Sequence, residues 1–379
     1  MSFSRTATPA FKAALDRIID APNRKAHDKR GSQVRDCSQA TRDDRRAKIH
    51  MFFADLRDMG YRLTDPRSLR QKHVKALTEF WNQKGLAPRT IHTWLSMLRV
   101  FCTWIGKPNL VGDTEDYFEP GRVHRHLVAT ENKCWDAHGI DPLLIILKAT
   151  ALDERFGLYL SLDHHVGTRG KEAMELRPLQ DYDPATRTLT ISRGTKGGKA
   201  RAVPLETPEQ FETIEWARRV ALAAGGRIRW PGTTWKQAQQ RFFHFARKLG
   251  ITKKDLGVTA HGLRHGFLQR VYTKDTGLPP PIAGGALGKI DAQTHWRAME
   301  HVSSVAGHGR RDAACFYAGG YGHSLRGAKT PADLLGPEHT SVAFLNGAVV
   351  NTVPTAPSSP THQCCETKDA DGGLSGDPA

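Results

Sequence analysis

The sequence predicts a mainly α-helical protein with a small β-sheet, built as an N-terminal helical module followed by a larger α+β unit. Three observations carry this expectation. Apolar residues recur at helical spacing in three successive stretches between residues 41 and 105. One alternating segment, Thr188-Leu-Thr-Ile191, is followed by a glycine-rich turn and a short return, which is the pattern of a β-hairpin. Helical periodicity then resumes from Pro208. The 379 residues leave room for two domains and their ends, at roughly 150 residues per domain. With 39% hydrophobic and 25% charged residues, the composition is that of a globular chain.

Taken in order, residues 1–40 are polar and basic (Arg24, Lys25, Lys29, Arg30, Arg35) and read as an amphipathic or partly disordered arm. Within 41–110 the first helix carries Ile49, Phe52, Phe53, Leu56 and Met59 on one stripe and stops at Gly60. A second runs from Pro66 to Lys84, with Asp65 as its cap and Leu69, Val74, Leu77, Phe80 and Trp81 inward. A third starts near Pro88, places Ile91, Trp94, Leu95, Leu98, Phe101 and Ile105 on one face, and ends at Gly106 and Pro108. Residues 111–140 lack periodicity and read as a linker. The larger unit, 141–330, opens with buried helices at Leu143–Ala151 and Phe156–His165. The hairpin follows, with lysines at its tip, then helices at Pro208–Ala224, Thr234–Leu249 and from His261 to Tyr272, the last capped by Thr259. Residues 277–288 (GLPPPIAGGALG) are loop material, and 331–379 form a C-terminal segment that becomes a Ser/Pro/Gly-rich disordered tail from Thr352.

Composition narrows the function. Lys and Arg number 55 against 39 Asp and Glu, a formal charge of +16, which suits a polyanion such as nucleic acid. The most apolar run, Leu143–Leu147, is five residues, far short of the ~20 that cross a bilayer. Arg5, Lys12, Asp16 and Arg17 interrupt any secretory core, so the expectation is a soluble, cytoplasmic, nucleoid-associated bacterial protein. Six cysteines (Cys37, Cys102, Cys134, Cys315, Cys364, Cys365) show neither metal-pair nor disulfide spacing and read as inert thiols.

Four segments carry chemistry. His165-Val-Gly-Thr-Arg169-Gly-Lys-Glu172 sets an arginine after a glycine turn. Gly194-Thr-Lys196-Gly-Gly-Lys199 puts lysines on a hairpin tip; GxxxxGK[ST] is absent, so ATP binding is unsupported. In Ala260-His261-Gly-Leu-Arg264-His265, His261 and Arg264 share a helix face and both reach toward one phosphate. Position 262 is glycine where a zinc-binding HExxH would need its glutamate. Finally, Val305-Ala-Gly-His308 precedes Tyr317 by nine residues, with Tyr321 and Tyr272 as competing hydroxyls. Each segment alone also has an ordinary structural reading: a helix corner, a solvated hairpin tip, a core tyrosine.

In this order, Arg169, Lys196, His261-x-x-Arg264, His308 and Tyr317 resemble the signature of the tyrosine recombinases, the phage integrase family, and most of all integrases of integrative and conjugative elements. The resemblance covers residues 41–105 as a helical, SAM-like core-binding domain and 141–327 as the α+β catalytic domain. Thr168 and Ala306 stand where the family has apolar and leucine residues, and the stretch from Arg264 to His308 is long for it.

The resemblance implies a site-specific recombinase that integrates or excises a mobile genetic element. Tyr317 would attack a DNA phosphorus to form a 3′-phosphotyrosine, with Arg169 and Arg264 holding the non-bridging oxygens. Lys196 would protonate the leaving 5′-oxygen, His261 would take the tyrosine proton, and His308 would bind the phosphate or orient the site. Glu172 and His265 are structural support. The implied partners are double-stranded DNA attachment sites, a homo-tetramer on DNA and an accessory bending or directionality factor; no cofactor or metal is implied. The competing readings are a DNA-binding regulator or decayed integrase that binds without cutting, a type IB topoisomerase and, more distantly, a histidine-based metallohydrolase.

Overall fold

The computed structural model describes residues 8–24, 36–126, 128–286, 289–308 and 310–320, with two short strands at 343–345 and 348–350. The chain divides into a body, residues 1–321, and a C-terminal unit, residues 322–379. In the C-terminal unit Ala343–Leu345 and Ala348–Val350 pair antiparallel. The tail expected from Thr352 lies outside the described residues, as do Tyr321, Cys364 and Cys365.

The body begins with four helices, α1 (Pro9–Asp20), α2 (Gln39–Asp58), α3 (Gln71–Gln83) and α4 (Pro88–Trp104). The first corrects the reading of residues 1–40 as an arm. Thr8 caps α1 by accepting from the Phe11 amide, and Phe11, Leu15, Ile18 and Ile19 fall on one stripe that is buried against α2 and α4. Phe11 meets Phe53 edge-on at 5.3 Å, and Phe52, Trp81 and Trp94 form an aromatic cluster with centroids 5.1–5.8 Å apart. The helix expected over 66–84 is two elements. Asp65 accepts from Arg67 N at 2.8 Å and caps only a 3₁₀ turn, Pro66–Ser68, after which Leu69 is extended and α3 starts afresh.

The linker is shorter than expected. Val111, Phe118 and Val123, the last in the short helix α5 (Pro120–Val123), are buried in the helical module's core. Trp135 is fully buried in the other core, its indole donating to the Thr259 carbonyl at 2.8 Å. That carbonyl, rather than a Thr259 side-chain cap, ties down the start of the site helix.

The second part of the body is built from α6 (Pro142–Leu152), α7 (Glu154–Ser161) continuing into a π-helical turn at Leu162–Val166, α8 (Gly170–Glu175) and α9 (Pro178–Asp181). A three-stranded antiparallel sheet follows: β1 (Tyr182–Asp183), β2 (Thr188–Ile191) and β3 (Arg201–Pro204), with Thr188 opposite Pro204 and Ile191 opposite Arg201. Then come α10 (Pro208–Leu222), α11 (Trp235–Lys248), α12 (His261–Thr276), α13 (Ala292–Val305) and α14 (Cys315–Ala318). Leu189, Ile191 and Val203 point into the core with α7 and α10, as their alternation requires. α6 is less buried than expected: Ile146 and Ala149 face the core, while Leu143, Leu144 and Leu147 are exposed. No described helix is long and apolar enough to cross a membrane.

α12 can approach the segment 133–135 so closely because Gly262 and Gly266 face it. A methyl at Gly262 would run into the Lys133 carbonyl and meet the Trp135 ring at 2.7 Å; at Gly266 it would meet Cys134 Sγ at 2.9 Å. Gly262→Ala is therefore expected to destabilise the protein by about 1–3 kcal/mol, the usual cost of overpacking, although alanine is the better helix former. Chemical denaturation tests this, with Gly121→Ala, whose methyl meets nothing within 4 Å, as the control.

Candidate active site

The site forms where three segment ends meet: the turn after α7, the start of α12 and the end of α13. Gly167 adopts a left-handed φ of 69° to end the π-helical turn, and a side chain there would strike the Phe267 ring. Thr168 is fully buried, and its hydroxyl donates to Asp163 Oδ1 at 2.6 Å, which explains a polar residue at that position. Arg169 then precedes α8, where Glu172 accepts from its backbone amide at 2.9 Å and from Nη1 at 2.5 Å.

Glu172 is fully buried and serves three guanidiniums. Besides Arg169, it accepts two bonds from Arg201, at 2.9 and 2.6 Å, and lies 3.8 Å from Arg264. Burial alone would raise its pKa, but the hydrogen bonds and charge of Arg201, with Arg169 and Arg264, hold it at about 2. Arg264, on α12, is fully buried; burial lowers it to about 10, which leaves it protonated at neutral pH. It donates to the Gly167 carbonyl and, at 2.6 Å, to the Ala306 carbonyl, which also accepts from Arg169 at 2.8 Å. Ala306 closes the C-terminus of α13, where backbone carbonyls carry the negative end of the helix dipole. Three guanidiniums thus face one ionised carboxylate and helix-end carbonyls, leaving a net positive cluster. Nε of Arg201 and of Arg264 has no acceptor among the described residues.

Tyr317 is buried beside this cluster. Its hydroxyl lies 3.2 Å from His308 Nε2, and its ring packs 4.8 Å from His265 and 5.7 Å from the Arg264 guanidinium. His308 Nε2 is also 3.5 Å from Arg169 Nη2. In the tautomer of His308 that leaves Nε2 unprotonated, that nitrogen accepts from the tyrosine hydroxyl. Burial, together with the charges of Arg169, Arg264, Lys196 and Arg201, lowers His308 to about 4, so it is neutral at pH 7. His261 opens to solvent and is lowered to about 4, first by desolvation and then by Arg264 and Arg169; its ring centroid is 6.4 Å from that of Tyr317. The hydroxyl's hydrogen-bond partner is His308, while the His261 ring stands farther off. His265, lowered by burial to about 3, is a neutral packing partner.

Lys196 is exposed on a tight turn, Lys196–Gly198, in which Gly197 and Gly198 both adopt positive φ. Its charge reaches His308. The structure therefore gathers Arg169, Arg264, His308 and Tyr317 in direct contact, sets His261 at the rim, and leaves Lys196 on its own turn beside them.

Sequence reasoning missed Arg201 and Asp163. Arg201 had a legible signal, for it occupies an inward position of β3, two residues from buried Val203, where alternation calls for an apolar side chain. Asp163 is wholly enclosed, and burial pushes its pKa up to about 8 against the opposing influence of Thr168 and Arg264. No cluster of metal-ligating side chains occurs among the described residues, and Cys102 and Cys134 are pushed up to about 12 and about 11 by burial, as inert thiols would be.

With this geometry in view, residues 28–111 match the family described as phage integrase, N-terminal. No curated protein matches the sequence. Among solved structures, the chain is similar to a lambda integrase dimer bound to a COC′ core site, with a TM-score of 0.52 at 16% identity over 84% of this chain and 78% of that one. It is also similar to the Tn1549 transposon integrase in complex with a circular intermediate DNA, with a TM-score of 0.50 at 14% identity over 80% of this chain and 94% of that one. At such identities the likeness is one of fold. It agrees with the mainly helical, small-sheet architecture expected from the sequence.

Two expectations follow from the charge balance. Glu172→Gln removes the anion shared by three clustered cations, two of them buried, and is expected to cost about 3–5 kcal/mol in urea unfolding at pH 7. Asp163→Asn keeps the acceptor for Thr168 without the ionisable group. Since the folded-state pKa of Asp163 lies above its unfolded value of 3.8, its protonation stabilises the fold, and that contribution is lost as pH rises through about 8. Thermal unfolding should therefore show Asp163→Asn gaining on the wild type as pH rises from 6 to about 9, and a gap that stays constant would contradict the assignment.

Proposed function

We propose that this chain, whose N-terminal domain is that of the phage integrases and whose fold is that of the tyrosine recombinases, is a site-specific recombinase that cleaves and rejoins DNA through a 3′-phosphotyrosine link. The observation that carries the reading is the placement of the Tyr317 hydroxyl 3.2 Å from a neutral His308, beside two guanidiniums that converge on the Ala306 carbonyl.

In this reading a scissile phosphate docks against the positive cluster, where Arg169 and then Arg264, released from its main-chain acceptors, turn to its non-bridging oxygens. As Tyr317 Oη bonds to phosphorus, its proton passes to His308 Nε2 and charge builds on those oxygens, where the docked cations stabilise it without further reorganising. The bond from phosphorus to the 5′-oxygen breaks, and that oxygen takes a proton from Lys196. The phosphodiester energy is kept in the phosphotyrosine, so attack by another 5′-hydroxyl reseals a strand with no energy source. Burial first, and then the charges of Arg169, Arg264, Lys196 and Arg201, lower His308; a bound phosphate offsets the second of these and so raises its basicity when the nucleophile must lose its proton. His261, at the rim, would contact the phosphate. Strand exchange between two duplex attachment sites would use four protomers, with an accessory factor setting the direction of integration or excision; acting on a host chromosome places the chain in the bacterial cytoplasm. The +16 charge supports binding to the DNA backbone.

A second reading, a DNA-binding regulator that does not cut, shares the helical module and the charge. The two are separated by incubating the full chain with a suicide duplex bearing its attachment site and assaying an SDS-stable protein–DNA adduct. The wild type should form it, Tyr317→Phe should not, and Arg264→Lys should slow it by about 10²–10³-fold while retaining DNA binding. An adduct that persists in Tyr317→Phe but vanishes in Tyr321→Phe would move the nucleophile; DNA binding with no adduct in the wild type would favour the regulator.

A further inference from the structure

α14, which carries Tyr317, has four residues and cannot hold its shape unaided. Its supports come largely from outside the catalytic set. Gln269, on α12 and 8% exposed, donates from Nε2 to the Tyr317 carbonyl at 3.1 Å and to Asn132 Oδ1 at 2.9 Å. Asn132 Oδ1 also accepts from the Cys134 amide at 3.1 Å. One helical turn is spanned again at Cys315, whose carbonyl accepts from the Ala129 amide at 3.0 Å. Residues 129–134 belong to the short stretch between the last buried residue of the helical module, Val123, and the first of the second core, Trp135. On the other side, the Pro/Gly-rich stretch that the catalytic reading left unused supplies a 3₁₀ turn, Pro281–Ala283, with Pro281 and Ile282 buried. Gly319 ends α14 at φ 78° so close to this turn that a methyl there would lie 2.8 Å from Ile282 N.

We propose that Gln269 is a positioning residue that fastens the nucleophile segment to the interdomain connector through Asn132, with the Pro281–Ala283 turn as its backstop. This rests on the reading of Tyr317 as the nucleophile. Both partners of the Gln269 amide are acceptors, so the arrangement needs a donor at 269 and an acceptor at 132. Through the same bonds the path of the connector sets where the Tyr317 backbone sits, and displacement of a nucleophile by even an ångström is costly in rate. The covalent step is thereby made responsive to how the helical module is held on DNA.

The test uses the full chain. Gln269→Met, similar in length but without donors, should slow adduct formation at saturating suicide duplex by about tenfold or more, the scale of losing buried hydrogen bonds, with DNA affinity unchanged. Asn132→Ala, at a half-buried position that tolerates truncation, should slow it in the same direction, whereas Asn132→Asp, which keeps the acceptor, should stay within about twofold of the wild type. The double variant Asn132→Ala/Gln269→Met should be slowed less than the product of the single effects. Backbone amides of Cys315–Ala318 should exchange faster in Gln269→Met and Asn132→Ala. Wild-type rates in both variants, or a rate loss in Asn132→Asp equal to that in Asn132→Ala, would overturn the inference. If the wild type forms no adduct, the proposed chemistry fails separately, and unchanged amide exchange across 315–318 in Asn132→Ala would then sink the positioning role.

Discussion

One buried carboxylate holds the centre together. Glu172 is the only ionised side-chain anion in contact with Arg169, Arg201 and Arg264 among the described residues, and it fixes two of them by direct hydrogen bonds. Three guanidiniums enclosed without it would repel one another where water cannot screen them. With it they lock into one geometry, yet their total charge exceeds what it neutralises. The same residue thus makes the cluster foldable and leaves it positive, so stability and anion affinity rest on one group.

That excess also reinforces what burial does to the surrounding histidines. His261, His265 and His308 are all lowered, by burial first and by neighbouring cations or one another after that, so none adds charge at neutral pH. A neutral imidazole has a lone pair to offer, which a doubly protonated one lacks. The surface-exposed Lys196 differs in kind, since it stands on a glycine turn rather than in the packed cluster. Fixed cations with a separately mounted acid suit a reaction in which charge develops in one place and a proton is delivered in another.

Much of this was legible in the sequence, and the failures have physical causes. Helices α2, α10 and α11 announce themselves by stripe and cap, and α4 by its stripe and its leading proline; Thr234 with Gln237, for example, forms a capping box. The role of α1 was hidden because a stripe of only four large apolar residues is short, and the segment that follows it is polar and basic. The helix expected over 66–84 broke because Leu69 turns extended to bury its side chain, a choice made by the module's core and invisible to local periodicity. The residue types of the site could be read in order along the chain. Their mutual contacts could not, because the carbonyls of Gly167 and Ala306 and the hub at Glu172 join segments far apart in sequence. That His308 rather than His261 meets the tyrosine hydroxyl has the same origin, since spacing on a helix says nothing about which ring the hydroxyl meets.

The Ala306 carbonyl has a consequence of its own. Both guanidiniums are oriented here by a main-chain oxygen, which every amino acid possesses, so these hydrogen bonds ask nothing of the side chain at 306; it is the fully buried packing of Ala306 that keeps that side chain small. Any change that moves the last turn of α13 would therefore shift both guanidiniums at once, whatever side chain stands at 306.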